Sequence, residues 1–439
     1  MYRNAPISPA IRLLYLFLRT LTWFGVSIFY RRRMVLGREH LRFDGPAIIV
    51  VNHPNTLLDP LNTCLHIRQE PFFLANYGLF KHPVSRWIFT LLLCIPVKRR
   101  EDVAEGEERN NDKAFEKSFQ HLEKNGLLFI AAEGVSWMER WVRPFKTGAA
   151  RIALGAENRQ DWNLGVKILP VGLTYSAPNL FRSEVIVNFG APINVAPWAK
   201  ANQENHEQAI TDFSIEIEAA VRALVLDTRD AAGQAYMEQL EAVFSDKFPT
   251  SGPEYFAFRK GLIEKNIDNV PLSLKTSDYF EALEKAGITD KGLAITANNS
   301  SAMLSIRELF LLMVGSPFFL IGYGFWFLPC YLPWLLVKKM KLYIGYDSTV
   351  KVLSGLFTFS LAMWGAYRTA AYFTGSAAWG LLVLAGLVLA GYLAEQYMDV
   401  VQLWRVKTAA LRLKKRDSAH FFSLLAKREE ILGMAEYPT

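Results

Sequence analysis

Ala47-Ile48-Ile49-Val50-Val51-Asn52-His53-Pro54-Asn55-Thr56-Leu57-Leu58-Asp59 is the stretch that decides how this chain is read. The opening five residues are apolar and mostly β-branched, the composition of a strand covered on both faces. The strand is followed by Asn-His-Pro-Asn, residues that favour a turn, and then by a carboxylate. Open α/β sheets place reacting groups beyond the carboxyl ends of their strands, where His53 and Asp59 fall. No serine or cysteine nucleophile lies beside the pair. A His–Asp pair without its own nucleophile suits a reaction in which a substrate hydroxyl attacks. His53 takes the hydroxyl proton, and Asp59 orients the imidazole and stabilises its cation. Residues 52–59 also fit a capped strand–helix turn with an ordinary histidine.

Outward from this stretch, strands alternate with helices as far as residue 200. Leu91–Val97 ends a helix-to-strand passage, and Asp112–Lys124 has helical periodicity through Phe115, Phe119 and Leu122, stopped by Asn125-Gly126. Leu127–Ala132, Val166–Leu173 and Val185–Phe189 read as strands, with a helix starting at Thr147. Alternation of this kind predicts an α/β domain. Residues 201–303 read as a helical extension, with an apolar stripe of Phe213, Ile217, Ala220 and Leu224.

Composition places that domain beside a membrane. The chain has 439 residues, 51% hydrophobic and 21% charged, a balance too apolar for an ordinary soluble enzyme. Residues 1–34 read as an amphipathic or shallowly buried helix whose Arg12 and Arg19 snorkel, with a spanning helix as the rival. The uncharged run 309–337 would be ~43 Å long as one helix, beyond a ~30 Å hydrocarbon core. Pro317, Pro329 and Pro333 interrupt it, so a re-entrant hairpin is expected. Two spanning helices follow at 352–373 and 377–397, then a basic tail at 399–439. Lysines 338, 339, 341 and 351 and the basic residues from Arg405 to Arg416 flank that helix pair, which puts both flanks in the cytoplasm. With a hairpin before them the α/β domain is cytoplasmic too; with a single span it faces outward.

A net charge of +7 fits an anionic lipid surface better than nucleic acid, given the apolar segments. Cys64, Cys94 and Cys330 form neither a disulfide framework nor a metal-ligand pattern, and no metal site is expected.

Three further blocks accompany the first. Cys94-Ile95-Pro96-Val97-Lys98-Arg99-Arg100 delivers guanidinium groups suited to bidentate phosphate recognition. Phe129-Ile130-Ala131-Ala132-Glu133-Gly134-Val135-Ser136 is a strand ending in a carboxylate, a glycine free to take positive φ, and a hydroxyl. Ile168-Leu169-Pro170-Val171-Gly172-Leu173-Thr174-Tyr175 is apolar enough to wall an acyl chain.

The order and spacing of these four blocks resemble the glycerolipid acyltransferase family, whose members acylate glycerol 3-phosphate and lysophosphatidate. The resemblance covers roughly residues 35–195, within an expected catalytic domain at 35–200, and takes in Pro144–Gly148 and Val187–Ile193. Five residues separate His53 from Asp59 where the family commonly has four, and Ala132 stands where it usually has proline. The His-Pro-Asn-Thr-Leu-Leu-Asp-Pro turn looks like the fungal-type glycerol-3-phosphate/dihydroxyacetone-phosphate branch. The resemblance implies a glycerolipid acyltransferase-like mixed sheet flanked by helices, followed by a helical membrane region. It implies His53 as general base and Asp59 as its partner. Asn55, Arg99, Glu133, Gly134 and Ser136 then contact the acceptor, with Arg99 on its phosphate, and Pro170 and Val171 line the acyl pocket. It implies acyl-CoA or acyl carrier protein as co-substrate, no further cofactor, membrane lipids as partners and no nucleic acid. An integral protein of a bacterial inner membrane, with the catalytic domain on the cytoplasmic face, is the expected setting.

Overall fold

A computed structural model of the protein describes residues 8–99, 102, 110–298 and 306–438. Arg100, in the second block, lies outside them, as do the residues before Ser8 and the join at 299–305. The chain divides into two compact units, Met1–Arg229 with Tyr343–Thr349, and Asp230–Leu342 with Val350–Thr439.

The first unit is built on one mixed sheet. Its strands are β1 (Tyr30–Leu36), β2 (Ala47–Val51), β3 (Phe72–Asn76), β4 (Cys94–Val97), β5 (Leu127–Ala131), β6 (Lys167–Tyr175), β7 (Ser183–Phe189) and the short β8 (Ile193–Asn194). The spatial order is β1-β7-β6-β2-β5-β3-β4, with β8 beside β6. β2 is central and pairs in parallel with β5 and β6, and β3 pairs in parallel with β5 and β4. These five strands therefore present their carboxyl ends at one edge. β7 and β8 run antiparallel to β6, which makes the sheet mixed.

Every residue of β2 is buried. Ile48 and Val50 join a core with Leu128, Ile130, Ile152 and Ile168, closed by Ile210, Phe213, Ile217 and Val221. Those last four lie on a helix, His206–Ala223, that sequence periodicity assigns to the separate extension. Its apolar face is complementary to the sheet, so the first unit continues to Arg229 and only the later part of 201–303 belongs to the second. β1 and β3 have no counterpart in the sequence reading. Arg31-Arg32-Arg33 masks β1, and Phe72–Asn76 is partly buried throughout and too short for a periodic signal.

The first helix, α1 (Pro9–Phe29), is capped by Ser8. Its Arg19 donates to the carbonyls of Leu65 at 2.7 Å and Ile67 at 2.9 Å, and Arg12 lies 3.4 Å from Glu70. Arg19 is thus held by protein rather than snorkelling to water, whereas the Arg12 side chain stays exposed beside Glu70. Leu13, Leu16, Phe17, Trp23 and Phe24 of this helix remain exposed.

In the second unit, residues 306–340 form one continuous helix with all three prolines inside it, not a hairpin. Each proline removes one backbone donor without forcing the chain to reverse. This helix lies antiparallel to the helix Ala377–Arg416. Phe319 stacks on Tyr397 at 4.6 Å, Trp326 Nε1 donates to Leu387 O at 2.9 Å, and Lys407 sits 3.2 Å from Glu308. Between them in sequence is the helix Asp347–Thr374. With α1, these make four helices long and apolar enough to cross a membrane among the described residues. Residues 399–439 are not a tail. The Ala377–Arg416 helix extends into them, and a last helix, Ser418–Met434, buries Phe421, Leu424 and Ile431 at helical spacing. Arg428 on that helix pairs with Asp290 at 2.9 Å.

Candidate functional site

The site lies at the carboxyl ends of β2, β5 and β6. Asn52, the first residue past β2, prolongs the pairing with β6: its amide accepts from Leu173 N–H at 2.8 Å and donates to Leu173 O at 2.9 Å. The chain then turns through His53–Leu57 into a short helix, Leu58–Cys64, which carries Asp59 in its first turn. His53 Nδ1 lies 2.8 Å from Asp59 Oδ2. The same oxygen accepts the Asn55 N–H at 2.8 Å, and Oδ1 accepts the Tyr175 hydroxyl at 2.8 Å. With both oxygens accepting, the carboxylate takes Nδ1–H as donor and leaves Nε2 as the basic nitrogen.

Burial separates the pair. The Asp59 side chain is fully enclosed, whereas the His53 side chain keeps 15% of its exposure, enough to meet a ligand. Burial pushes the Asp59 carboxyl above its ordinary range, and the bonds from His53, Asn55 and Tyr175 oppose that push. Burial and the nearby Asp59 raise the Tyr30 and Tyr175 hydroxyls well above the tyrosine range, so both keep their protons as donors.

β5 delivers Glu133, whose Oε1 accepts the backbone N–H of His53 at 2.9 Å. Burial pushes its carboxyl up to about 7, the His53 N–H works against this, and Asp59 adds to it. The following turn needs Gly134 at φ +76°, in keeping with the freedom that glycine brings. A Cβ there would also meet the Lys146 side chain at 3.4 Å.

Several expected substrate contacts turn out to be framework. Asn55 is buried and donates to Tyr30 Oη at 3.1 Å and Pro178 O at 3.0 Å. The Ser136 hydroxyl is likewise buried and accepts the Thr56 N–H at 2.9 Å. Both side chains are occupied in shaping the turn, so neither points free toward an acceptor. Pro170 and Val171 sit opposite Val50 and Val51 in the sheet and are buried there, which leaves an acyl chain no surface on them in this conformation.

Arg99 follows β4 at the same sheet edge, three strands from β2, or roughly 14 Å at ~4.8 Å per strand. Its backbone N–H is fixed by Asp102 at 2.8 Å, and among the described residues its guanidinium has no hydrogen-bond or ion-pair partner. The arginine beside Glu133 is Arg143, whose guanidinium stacks 4.1 Å over Trp137 and pairs with Glu139 at 2.5 Å. Sequence reading misses Arg143 because it follows the third block in a segment without periodicity. It also misses Tyr175, although that residue ends β6, whose carboxyl end shares the His53 edge.

A histidine–aspartate pair at a parallel-sheet edge, with an enclosed acid and an accessible imidazole, is now in place. The acyltransferase family model matches residues 32–174, which hold that pair, Arg99 and Glu133. Residues 32–174 thus match an acyltransferase domain. The chain is similar to glycerol-3-phosphate O-acyltransferase 1 of Saccharomyces cerevisiae, 28% identical over 142 residues, which is 32% of this chain and 19% of the yeast protein. It is similar to the chloroplastic 1-acyl-sn-glycerol-3-phosphate acyltransferase BAT2 of Brassica napus, 26% identical over 171 residues, 38% of this chain and 45% of that one. Among solved structures, the 1-acyl-sn-glycerophosphate acyltransferase PlsC of Thermotoga maritima aligns with a TM-score of 0.33 at 20% identity, covering 46% of this chain and 78% of that one. The chain spans less than half the length of these two curated relatives.

Proposed function

We propose that the protein transfers a fatty acyl group from acyl-CoA or acyl carrier protein to the hydroxyl of a glycerol-phosphate acceptor. The acceptor is glycerol 3-phosphate or 1-acylglycerol 3-phosphate, and the reaction serves phospholipid biosynthesis at a membrane surface. The observation that carries this reading is the accessible imidazole of His53 held by the buried Asp59 at 2.8 Å, inside a domain of the acyltransferase family.

His53 Nε2 takes the acceptor's hydroxyl proton as the oxygen attacks the thioester carbonyl. The tetrahedral intermediate collapses to the ester, the carbon–sulfur bond breaks, and the imidazolium returns the proton to the departing thiolate. Asp59 stabilises the imidazolium between those two steps. Glu133 holds the His53 backbone, which commits that N–H to the frame rather than to an oxyanion. Arg99, with no partner among the described residues, is the phosphate ligand in this reading.

The catalytic side of the domain faces the cytoplasm. Tyr343–Thr349 folds within the acyltransferase unit, against the turn after His53. Lys338, Lys339, Lys341 and Lys351 flank that segment, and a lysine-rich flank marks the cytoplasmic side.

Membranes carrying the full chain, given labelled acyl-CoA with glycerol 3-phosphate or lysophosphatidate, should yield the acylated product by mass. His53→Ala should lower turnover by roughly two to four orders of magnitude, the scale of a lost general base. Undiminished transfer by His53→Ala would refute the mechanism.

A further inference from the structure

Thr56 stands in the left-handed region at φ +39°, a costly conformation for a β-branched residue. It is the central residue of the turn joining His53 to Asp59, so whatever holds it there holds the pair. Ser136 accepts its N–H. The rest of the grip comes from a segment nearly 300 residues further along the chain. The Thr56 hydroxyl donates to Gly345 O at 2.7 Å and lies 3.3 Å from Thr349 Oγ1. The Ser348 hydroxyl donates to Asn55 Oδ1, and Asn55 N–H donates to Asp59 Oδ2, the oxygen that receives His53 Nδ1. Tyr343 Oη donates to Ser136 O at 2.7 Å, steadying the other support of Thr56. Ser348 is fully buried and Thr349 nearly so. At Gly345 a Cβ would come within 3.0 Å of the Thr56 side chain and 2.6 Å of the Tyr343 ring, so the segment passes as close as a backbone allows.

We propose that Tyr343–Thr349, the junction between two of the apolar C-terminal helices, is a positioning element of the acyl-transfer site that holds the His53–Asp59 turn in its strained catalytic form. The inference rests on the acyltransferase function proposed for the site. Its residues act through Asn55, Thr56 and Ser136. The family model ends at residue 174, well before this segment.

The test uses the full chain in detergent, with steady-state kinetics and thermal midpoints for Thr56→Val, Ser348→Ala, Thr56→Ser and His53→Ala. Thr56→Val keeps the side-chain shape and loses the hydroxyl. It and Ser348→Ala should each lower kcat by about tenfold, the effect of one hydrogen bond on placement, with both KM values within about twofold of wild type. Thr56→Ser, which restores the hydroxyl, should recover most of the lost kcat. Wild-type kcat in Thr56→Val and Ser348→Ala beside an inactive His53→Ala would overturn the positioning role alone. That role also falls if Thr56→Ser is as impaired as Thr56→Val, or if only the thermal midpoint drops. An active His53→Ala would remove the acyltransferase mechanism and the positioning role together.

Discussion

Replacing Asp59 by asparagine tests the electrostatics of the site with little change in shape. The Asp59 oxygen that meets His53 also meets the Asn55 N–H, while the other oxygen meets the Tyr175 hydroxyl. An asparagine amide satisfies this arrangement in one orientation. Its oxygen must face the two N–H donors, and its NH2 must face Tyr175, whose oxygen can accept. The backbone N–H of Asn55 thereby enforces the orientation that keeps Nδ1–H on His53 and Nε2 basic. The tautomer survives, and what is lost is the charge opposite the imidazolium. At an effective dielectric constant of about 20 and a charge separation of about 4 Å, that loss is ~4 kcal/mol, or roughly three orders of magnitude in kcat. Asparagine also removes a buried charge that desolvation disfavours, so the thermal midpoint should hold or rise. The assay is thioester consumption with glycerol 3-phosphate across pH, alongside thermal unfolding. A loss smaller than tenfold would refute the electrostatic role of Asp59. A thermal midpoint that collapses with the activity would refute the argument that Asn55 and Tyr175 can orient the amide.

Glu133 gives a pH signature. Its carboxyl is held at about 7 in the fold against an ordinary 4.5, so the folded state keeps a proton that the unfolded chain releases in this window. The resulting stabilisation is complete below the lower value and is lost as pH rises through about 7, a difference of ~3 kcal/mol by linkage. Glu133→Gln should flatten the fall in thermal midpoint between those values, and an unchanged slope would assign the pH dependence elsewhere. Arg19→Met removes both guanidinium bonds to the carbonyls of Leu65 and Ile67. It should cost about 2 kcal/mol in denaturant unfolding, whereas a snorkelling arginine would cost nothing measurable. Arg99→Ala should raise the KM for glycerol 3-phosphate on the order of 10–100-fold, the worth of a charged hydrogen-bond partner, and spare the acyl donor. Equal loss with a phosphate-free lysolipid acceptor would argue against a phosphate contact.

Local pattern was enough to make part of the fold legible in the amino-acid sequence. A strand buried on both faces must be continuously apolar, so β2, β5 and β6 stand out as runs, and the residues just after them mark the reactive edge. His53 and Asp59 belong together within one short turn, and Gly134 needs only its own backbone freedom to be singled out. Everything that depends on distant segments meeting was settled by the packed molecule. Asn55 and Ser136 changed from apparent substrate contacts into supports, because their partners lie at Tyr30, Pro178, Ser348 and Thr56. Packing placed Arg143 rather than Arg99 beside Glu133, and it brought Tyr175 onto Asp59 across 116 residues of chain. It also made a continuous helix of residues 306–340, where prolines alone suggested a reversal. The physical reason is common to these cases. Periodicity reports which face of an element is apolar, but a hydrogen bond between side chains is directional and short, and only the assembled sheet and helices determine which donor reaches which acceptor.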